Sequence, residues 1–314
     1  MTRAYRSPSF WAALLIVAAL FAAPAEAEHR IGTLDTVGSD TMAGLMLRWG
    51  ERLARRHPGM RVQLQASGSA SAPTALTAGT TLVGPMSRPM TEAEHQAFVA
   101  RYGYPPREVV VARDALVVVV HRHNPLSSLS RQQLDAVFSE TYRCGAEGGL
   151  RRWAALGLEV PSGRIVLHGR NAVSGTHDLF RREALCGGRF RPSVNEHPGS
   201  AAVVAAVAAD PQAIGYAGLN HLMPSVRPIP LRDAEGVQRA PEPSAVRRGD
   251  YPLARDLRLY VNLPPGESLP AAEQAFIELV LSAEGQAIVE ELGFVSLPGA
   301  VLSRQRRRLG LEAE

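Results

Sequence analysis

The sequence contains no lysine, and all 34 of its basic residues are arginines. This absence excludes mechanisms that need an amine side chain, such as the lysine of a phosphate-binding P-loop, a Schiff base or a serine–lysine dyad. Arginine is permanently charged, and its planar guanidinium group can donate two parallel hydrogen bonds to an oxyanion. The bias therefore reflects either the composition of the genome or a function in anion binding.

Several short motifs that mark catalytic or metal-binding sites are also missing. The chain has neither the HExxH motif nor the GxSxG nucleophile elbow, and its two cysteines do not form a CxxC pair. Hydroxyl side chains are present, but no histidine or aspartate is fixed beside one of them as an evident general base. We therefore expect no metal, no cofactor and no catalytic residue.

The composition is that of an ordinary folded protein. The chain has 314 residues, 46% of them apolar and 20% charged, with a formal net charge of +4. This length corresponds to about two domains, and the composition excludes disordered, collagen-like and coiled-coil classes. The dense basic cluster at 304–308 is more typical of a solvated chain end than of a nucleic-acid interface. We expect a monomer that does not bind nucleic acid.

The first 27 residues have the three parts of a secretory signal peptide. Arg3 and Arg6 form a basic start, Phe10–Ala23 is apolar, and Ala25-Glu26-Ala27 offers a cleavage site between small residues. The apolar run is short for a membrane-spanning helix, although an uncleaved anchor is the alternative. We expect cleavage near Ala27 and a periplasmic location.

The two cysteines, Cys144 and Cys186, lie 42 positions apart in the mature chain. In an oxidising compartment such a pair is typical of one disulfide bond. Two buried free thiols are the alternative.

The rest of the chain alternates between strand and helix patterns, which predicts an α/β fold. Ile31–Val37 is predicted to be a strand that leads into a helix with apolar residues at helical spacing. Val109–Val120 is a long β-branched run, and its length predicts a strand that leaves one sheet and enters another. The segment 84–89 is predicted to be a loop, as is the proline- and glycine-rich segment 232–250.

Three predicted strand-to-helix junctions have the same chemical character. The segments 38–41, 67–71 and 169–176 each follow a strand, are rich in glycine and small hydroxyls, and open a helix. Helix N-termini bind anions through free backbone N–H groups and the positive end of the helix dipole. Arg170 adds a permanent charge to the third segment. Each segment alone could be an ordinary helix cap, but the three together predict an anion-binding site.

These motifs resemble those of the periplasmic phosphate-binding proteins of ABC importers, and more closely the PstS-like branch. The resemblance covers nearly all of 31–300 and rests on GSDTM, SGSASAPTAL, GPMSRPM, GRNAVSGT, NEHPGSAAVV and AIGYAGL, in that order. It implies a two-lobed type II periplasmic binding protein fold, with the ligand in a cleft between lobes joined by a two-stranded hinge. The implied domains are lobe 1 at 28–115 plus about 225–314, and lobe 2 at about 116–224.

The resemblance also implies the residues that bind the ligand. By position they lie in the first turn, at the start of the second helix, in the loop after that helix and in the third segment: Thr41, Met42, Ser69, Ser87, Arg170, Ser174, Gly175 and Thr176. Members that select phosphate often place an aspartate, which accepts the ligand's proton, where this chain has Ser87. Asp40 or Asp114 could supply the acceptor instead. The alternatives are that Asp40 caps a helix and that Asp114 forms a hinge salt bridge with an arginine.

The implied function is that of a non-enzymatic protein that captures inorganic phosphate and delivers it to a membrane ABC permease. Three alternatives stay open at this point. The fold could carry an exported phosphomonoesterase, it could serve as a phosphate sensor, or its ligand could be another tetrahedral oxyanion such as sulfate or molybdate.

Overall fold

The computed structural model describes residues 32–159 and 162–311, so the predicted signal peptide lies outside the described residues. Strands and helices alternate along most of the chain. The strands are β1 (Gly32–Val37), β2 (Met60–Gln65), β3 (Val83–Met86), β4 (Arg107–His121), β5 (Leu129–Ser130), β6 (Val166–Arg170), β7 (Val194–His197), β8 (Ala213–Gly218), β9 (Val226–Ile229), β10 (Leu231–Arg232), β11 (Gln238–Arg239) and β12 (Ala254–Val261). The helices are α1 (Ala43–Arg56), α2 (Ser71–Ala78), α3 (Glu92–Tyr102), α4 (Arg131–Phe138), α5 (Gly175–Glu183), α6 (Ser200–Ala209), α7 (Pro243–Arg248), α8 (Ala271–Val280), α9 (Ala283–Glu291) and α10 (Gly299–Arg308).

Local sequence signals explain several helix boundaries. Helix α4 begins with a capping box in which Ser130 and Gln133 exchange side-chain and backbone hydrogen bonds, as the sequence predicts. Helix α5 is capped by the Ser174 hydroxyl, which accepts from the backbone N–H of Thr176. The predicted break between α8 and α9 falls at Ser282, whose hydroxyl caps α9. These caps fix the point at which each loop turns into a helix.

Nine of the strands in the described residues form one long sheet, in the order β2-β1-β3-β12-β4-β8-β6-β7, with β9 also paired to β4, and β11, β10 and β5 form a separate three-stranded sheet. Strands β2, β1 and β3 are parallel, as are β8, β6 and β7, whereas β12 runs antiparallel to both β3 and β4. Parallel strands joined by helices are typical of α/β domains. The two parallel groups place the ends of β1, β2 and β6 where their following loops can meet.

Two main hydrophobic cores define two lobes. One core contains residues between 34 and 112 together with residues between 257 and 311, with Trp49 and Phe276 among its buried aromatics. The other contains residues between 115 and 253 together with Val295, with Trp153 and Phe180 among its buried aromatics. The expected two-lobed α/β fold is therefore confirmed.

Strand β4 belongs to both halves of the sheet. Its first part pairs with β12, from Arg107 to Ala115, and its second part pairs with β8, from Leu116 to Val120. The prediction that this β-branched run passes from one sheet to another is confirmed. Strand β12 returns the chain to lobe 1 beside β4, and we refer to β4 and β12 as the hinge strands. Because the second core extends to Leu253, we propose that lobe 2 spans about 115–253 rather than ending near 224.

Two loop predictions were wrong in part. Val83–Met86 forms a fully buried central strand although it contains Gly84 and Pro85, because pairing with β1 and β12 outweighs the local preference of these residues for a turn. The segment 232–250 contains the end of β10, strand β11 and helix α7. The basic segment near the C-terminus forms α10, and Leu302, Leu309 and Leu311 pack against the lobe 1 core.

Cys144 and Cys186 form a disulfide bond in lobe 2, as predicted. Within the described residues, no helix has the length and apolar character needed to cross a membrane. Nor do these residues bring three or more histidine, cysteine, aspartate or glutamate side chains together in a way that could hold a metal ion.

Candidate functional site

The loops that precede α1, α2 and α5 meet between the two lobes. Each loop lies at the carboxyl end of a strand, namely β1, β2 and β6, which is where α/β sheets bind ligands. The Thr41 and Thr176 hydroxyl oxygens, one from each lobe, are 3.3 Å apart. The backbone N–H of Ala70 in lobe 1 donates to the carbonyl of Val173 in lobe 2 over 3.3 Å. The lobes are therefore in contact through the same loops that the sequence identified.

Hydroxyl groups line the lobe 1 side of this contact. The Ser69 and Ser87 hydroxyl oxygens are 3.1 Å apart, and Ser69 Oγ also accepts from the backbone N–H of Ser87 at 3.0 Å. Both serines are completely buried, and Thr41 is 4% exposed. The Ser39 hydroxyl is buried as well and has no hydrogen-bond partner among the described residues. A cluster of buried hydroxyls is suited to donate to a desolvated anion.

Two of the expected residues can contribute only part of what the resemblance implies. The Met42 side chain is buried in the lobe 1 core, so only its backbone N–H is available at the start of α1. The Ser174 hydroxyl already accepts a hydrogen bond as the cap of α5, and its O–H remains as a donor.

Gly175 is a point of closest approach between the lobes. A Cβ atom at Gly175 would lie 2.5 Å from both the Ser69 and the Ser87 hydroxyl oxygens. Any side chain here would push α5 away from the lobe 1 loops. Gly68 makes a similar approach from the opposite lobe, and its φ of 108° favours glycine.

Arg170 lies at the end of β6 with only 1% of its surface exposed. Its Nη2 donates to Asp40 Oδ2 at 2.7 Å and to the Pro198 carbonyl at 2.8 Å. Its Nε donates to the His197 carbonyl and its Nη1 to the Ser200 hydroxyl, both at 3.3 Å. Burial lowers the pKa of the Arg170 guanidinium below its ordinary value, although the nearby Asp40 carboxylate acts in the opposite direction.

The two candidate proton acceptors differ in what their oxygens contact. Asp114 is 1% exposed and its carboxylate is occupied: Oδ1 accepts from the backbone N–H of Ala115, and Oδ2 accepts from Arg255. Asp40 uses Oδ2 for Arg170, whereas its Oδ1 is buried without a hydrogen-bond partner in the part of the chain that the structure describes. Asp40 does not cap α1, which has no side-chain cap. Asp40 is therefore the carboxylate with a free acceptor atom.

Arg255 is a site residue that the sequence reasoning missed. It lies on β12 and donates from Nε and Nη2 to Asp114 Oδ2 at 2.9 and 2.6 Å. Its Nη1 donates to the Thr176 hydroxyl at 3.0 Å and approaches the Ser87 carbonyl at 3.5 Å. A hinge salt bridge of Asp114 with an arginine is one of the two expectations from the sequence, but the identity of the arginine depends on the pairing of two strands about 140 residues apart in the chain.

The site therefore combines two buried arginines, two aspartates and several hydroxyls at the N-termini of three helices. The hydroxyl, guanidinium and backbone N–H donors of this site can take the place of the water around an oxyanion and stabilise it in the cleft. The fold and the site together define a two-lobed binding protein for an anion.

Comparison with known proteins gives the family. Residues 23–284 match the family described as PBP superfamily domain. The chain is 45% identical over 284 residues to the phosphate-binding protein PstS of Pseudomonas aeruginosa, covering 89% of this chain and 88% of the relative. It is 25% identical to the phosphate-binding protein PstS of Staphylococcus aureus, covering 83% of this chain and 77% of the relative.

A solved structure supports the same fold. The ABC-type phosphate transport receptor from Vibrio cholerae matches with a TM-score of 0.68 at 22% identity, covering 84% of this chain and all of that chain. The chain belongs to the PBP superfamily, and within it to the PstS-like branch.

Proposed function

We propose that this protein binds inorganic phosphate and delivers it to an ABC-type importer. The identity of 45% to a protein named for phosphate binding extends over most of both chains. The single observation that carries the proposal in the structure is the meeting of three helix N-termini with the buried Arg170. Its role is transport rather than catalysis, in keeping with the names of its relatives.

The proposed ligand contacts come from both lobes. Lobe 1 contributes the hydroxyls of Thr41, Ser69 and Ser87 and the backbone N–H of Met42. Lobe 2 contributes Arg170 and the start of α5, namely Ser174, Gly175 and Thr176. Because the contacts are divided between the lobes, the anion stabilises the closed arrangement over any open one.

Asp40 is our proposed basis for selecting phosphate over sulfate. Near neutral pH phosphate keeps at least one proton, whereas sulfate keeps none. Asp40 Oδ1, which has no hydrogen-bond partner within residues 32–159 and 162–311, can accept that proton in a hydrogen bond. Sulfate would instead place its own oxygen against a buried carboxylate, with no proton between them. The resulting desolvation and repulsion disfavour sulfate.

The site of action follows from the predicted signal peptide, and we propose that the mature protein works as a periplasmic monomer. A membrane permease is the proposed partner that receives phosphate when the lobes open. The predicted leader and cleavage near Ala27 can be checked by N-terminal sequencing of the protein secreted to the periplasm.

The function is tested by isothermal titration calorimetry of the purified mature chain after removal of bound anions by unfolding and refolding. Phosphate and sulfate are titrated separately between pH 5 and 8. We expect saturable binding of one phosphate per chain and much weaker binding of sulfate. Absence of phosphate binding under these conditions contradicts the proposed function, and preference for sulfate or molybdate assigns a different oxyanion.

A further inference from the structure

On the basis of the proposed function, we infer that Arg255 is a second arginine ligand of the phosphate and that Asp114 holds it in position. Both residues lie on the hinge strands, which connect the lobes, and not at the three helix N-termini.

Arg170 has few N–H donors left for a ligand. Its Nε and Nη2 groups and one N–H of Nη1 donate to protein acceptors, namely His197, Asp40, Pro198 and Ser200. A guanidinium group has no acceptor atoms and a fixed set of N–H donors. Only the second N–H of Nη1 therefore remains for a ligand. Arg170 alone cannot give the anion a two-pronged contact without breaking one of these bonds.

The Arg255 guanidinium is directed on one side to Asp114 and on the other to the contact between the lobes. Nε and Nη2 are directed to Asp114, while Nη1 is directed to Thr176 and Ser87. Thr176 lies in the first turn of α5 in lobe 2 and Ser87 belongs to the loop after β3 in lobe 1, so Nη1 lies where the two lobes meet. Both residues are among the proposed phosphate contacts. An anion held by them comes within reach of Nη1.

The positive charges of Arg255 and Arg170 interact in a buried part of the site. The Arg255 and Asp114 side chains are 2% and 1% exposed, so little water screens the Arg255 charge. The charge of Arg255 is also one of the causes that lower the pKa of Arg170, which places the two guanidinium groups within electrostatic reach of each other. Two neighbouring cations in a buried site repel each other, and a bound dianion relieves that repulsion.

A second arginine–aspartate pair lies next to Arg255 and Asp114 on the hinge strands. Arg113 on β4 is the register partner of Asp256 on β12, next to the register pair of Asp114 and Arg255. Successive residues of a strand point to opposite faces. The Arg113–Asp256 ion pair, at 3.2 Å, is accordingly on the other face with both side chains 31% exposed. The hinge thus has one buried ion pair beside the cleft and a second, partly exposed one on the opposite face of the strands.

The role of Asp114 follows from its contacts. Both Nε and Nη2 of Arg255 share Asp114 Oδ2, which directs Nη1 toward Thr176 and Ser87 where the lobes meet. The buried ion pair adds little net stability compared with an apolar pair. Its position behind the proposed ligand contacts is better explained by orientation of the Arg255 donor.

The inference is tested by calorimetric titration of phosphate into the wild-type chain and three single variants. Arg255→Gln is expected to weaken binding about 10- to 100-fold, since a buried charge-assisted contact is lost. Arg255→Lys keeps the positive charge but lacks the planar guanidinium with its paired N–H donors, and should recover part of the lost phosphate affinity. Arg113→Gln is the control and should stay within about twofold of wild type, because its partly exposed charge lies on the face of β4 opposite Asp114.

Removing Arg255 alone leaves the buried Asp114 charge unpaired and could unfold the chain. The double variant Arg255→Gln/Asp114→Asn removes both charges and should remain folded by circular dichroism, yet bind phosphate as weakly as Arg255→Gln. Asp114→Asn alone should weaken binding, and in that background Arg255→Gln should cost less than in wild type. Such coupling in affinity is not expected from a residue that only stabilises the fold.

The outcomes separate the two proposals. If the wild type binds no phosphate, the proposed function fails, and this inference fails with it. If the wild type binds phosphate and the double variant binds equally well, the function stands and Arg255 is not a ligand. If Arg113→Gln weakens binding as much as Arg255→Gln, the effect belongs to hinge stability, and the inference is overturned.

Discussion

Arg170 and Asp40 belong to different lobes and form an ion pair in which the arginine is buried and the aspartate is partly buried, with Nη2 of the arginine 2.7 Å from Oδ2 of the aspartate. The pair joins the end of β6 to the loop that precedes α1. The same contact that closes the two lobes on each other therefore also orients the main cation and the free carboxylate oxygen of the site.

Arg170→Ala is expected to weaken phosphate binding by about two to three powers of ten, because a desolvated charge-assisted contact is lost. Calorimetry with phosphate measures the change. Arg189→Ala is the matched control in lobe 2, since its side chain is 77% exposed and its ion pair with Glu140 lies at the surface. An Arg170→Ala protein that binds like wild type would mean that the anion binds elsewhere.

Asp40→Asn is expected to reduce the ratio of phosphate to sulfate affinity by at least about tenfold. The amide oxygen can still accept from Arg170, but its NH2 group then occupies the place of the proton acceptor and donates to any anion. Competitive titration of the two anions checks this result. Asp35→Asn on β1, whose side chain is exposed, is the control. Unchanged selectivity in Asp40→Asn would assign proton recognition to another group.

Gly175→Ala is expected to weaken phosphate binding roughly 10- to 100-fold while the chain stays folded. The new methyl group would lie 2.5 Å from the Ser69 and Ser87 hydroxyl oxygens and keep the lobes apart. Small-angle X-ray scattering with saturating phosphate should give a larger radius of gyration than for wild type. Gly148→Ala, where a Cβ meets nothing within 4 Å, should behave as wild type in both measurements.

Removal of the disulfide by Cys144→Ser/Cys186→Ser is expected to lower the free energy of unfolding by about 4 kcal/mol, the chain-entropy value for a loop of this length. Urea denaturation of the anion-free protein measures it. Phosphate affinity should change little, since Cys186 follows the C-terminal end of α5, whereas the N-terminus of α5 lies at the cleft. A loss below about 1 kcal/mol would mean that the unfolded chain is already compact in this region.

Stability should fall as the pH is lowered below about 6.5. Burial, as the leading cause, lowers the pKa of His168, His177, His197 and His221 from the ordinary value of 6.5. Below pH 6.5 the histidines of the unfolded chain bind protons, whereas those of the folded chain stay neutral until the pH reaches their lowered pKa. The stabilisation present above pH 6.5 is therefore lost as the pH falls through the histidine pKa of the folded chain. Urea denaturation of the anion-free protein at pH 7.5 and 5.5 measures the difference.

A matched pair of variants tests the histidine explanation. His168→Gln removes a ring that lies 2.9 Å from the His197 ring, nitrogen to nitrogen, and should reduce the loss of stability at pH 5.5. His123→Gln replaces an exposed ring and should leave the loss unchanged. Equal behaviour of the two variants would assign the acid sensitivity to other groups.

The sequence was sufficient to predict the α/β class, the crossing of β4 between lobes, the disulfide and the loops that meet in the cleft, because these depend on local patterns or on motifs with fixed order. It could not predict Arg255, since nothing local distinguishes this arginine from Arg258 three positions later. Strand β3 was missed for a related reason: its pairing partners β1 and β12 come from distant parts of the chain.

The arginine bias has two explanations within one chain. Arg170, Arg191 and Arg255 are nearly inaccessible, and each donates to several acceptors, which suits the planar fork of guanidinium and not a lysine ammonium. Arg48, Arg52 and Arg56 on α1 instead form exposed ion pairs with glutamates, where lysine would serve equally well.

Strand β12 lies between β3 and β4 in the sheet, although it is the last strand along the described part of the chain. Lobe 1 is thus assembled from both ends of the polypeptide, whereas the lobe 2 core is built almost entirely from one continuous segment. During vectorial synthesis or passage through a translocation channel, lobe 2 can complete its sheet first. Lobe 1 has to wait for residues 254–311, with the edges of β3 and β4 exposed to other chains in the meantime.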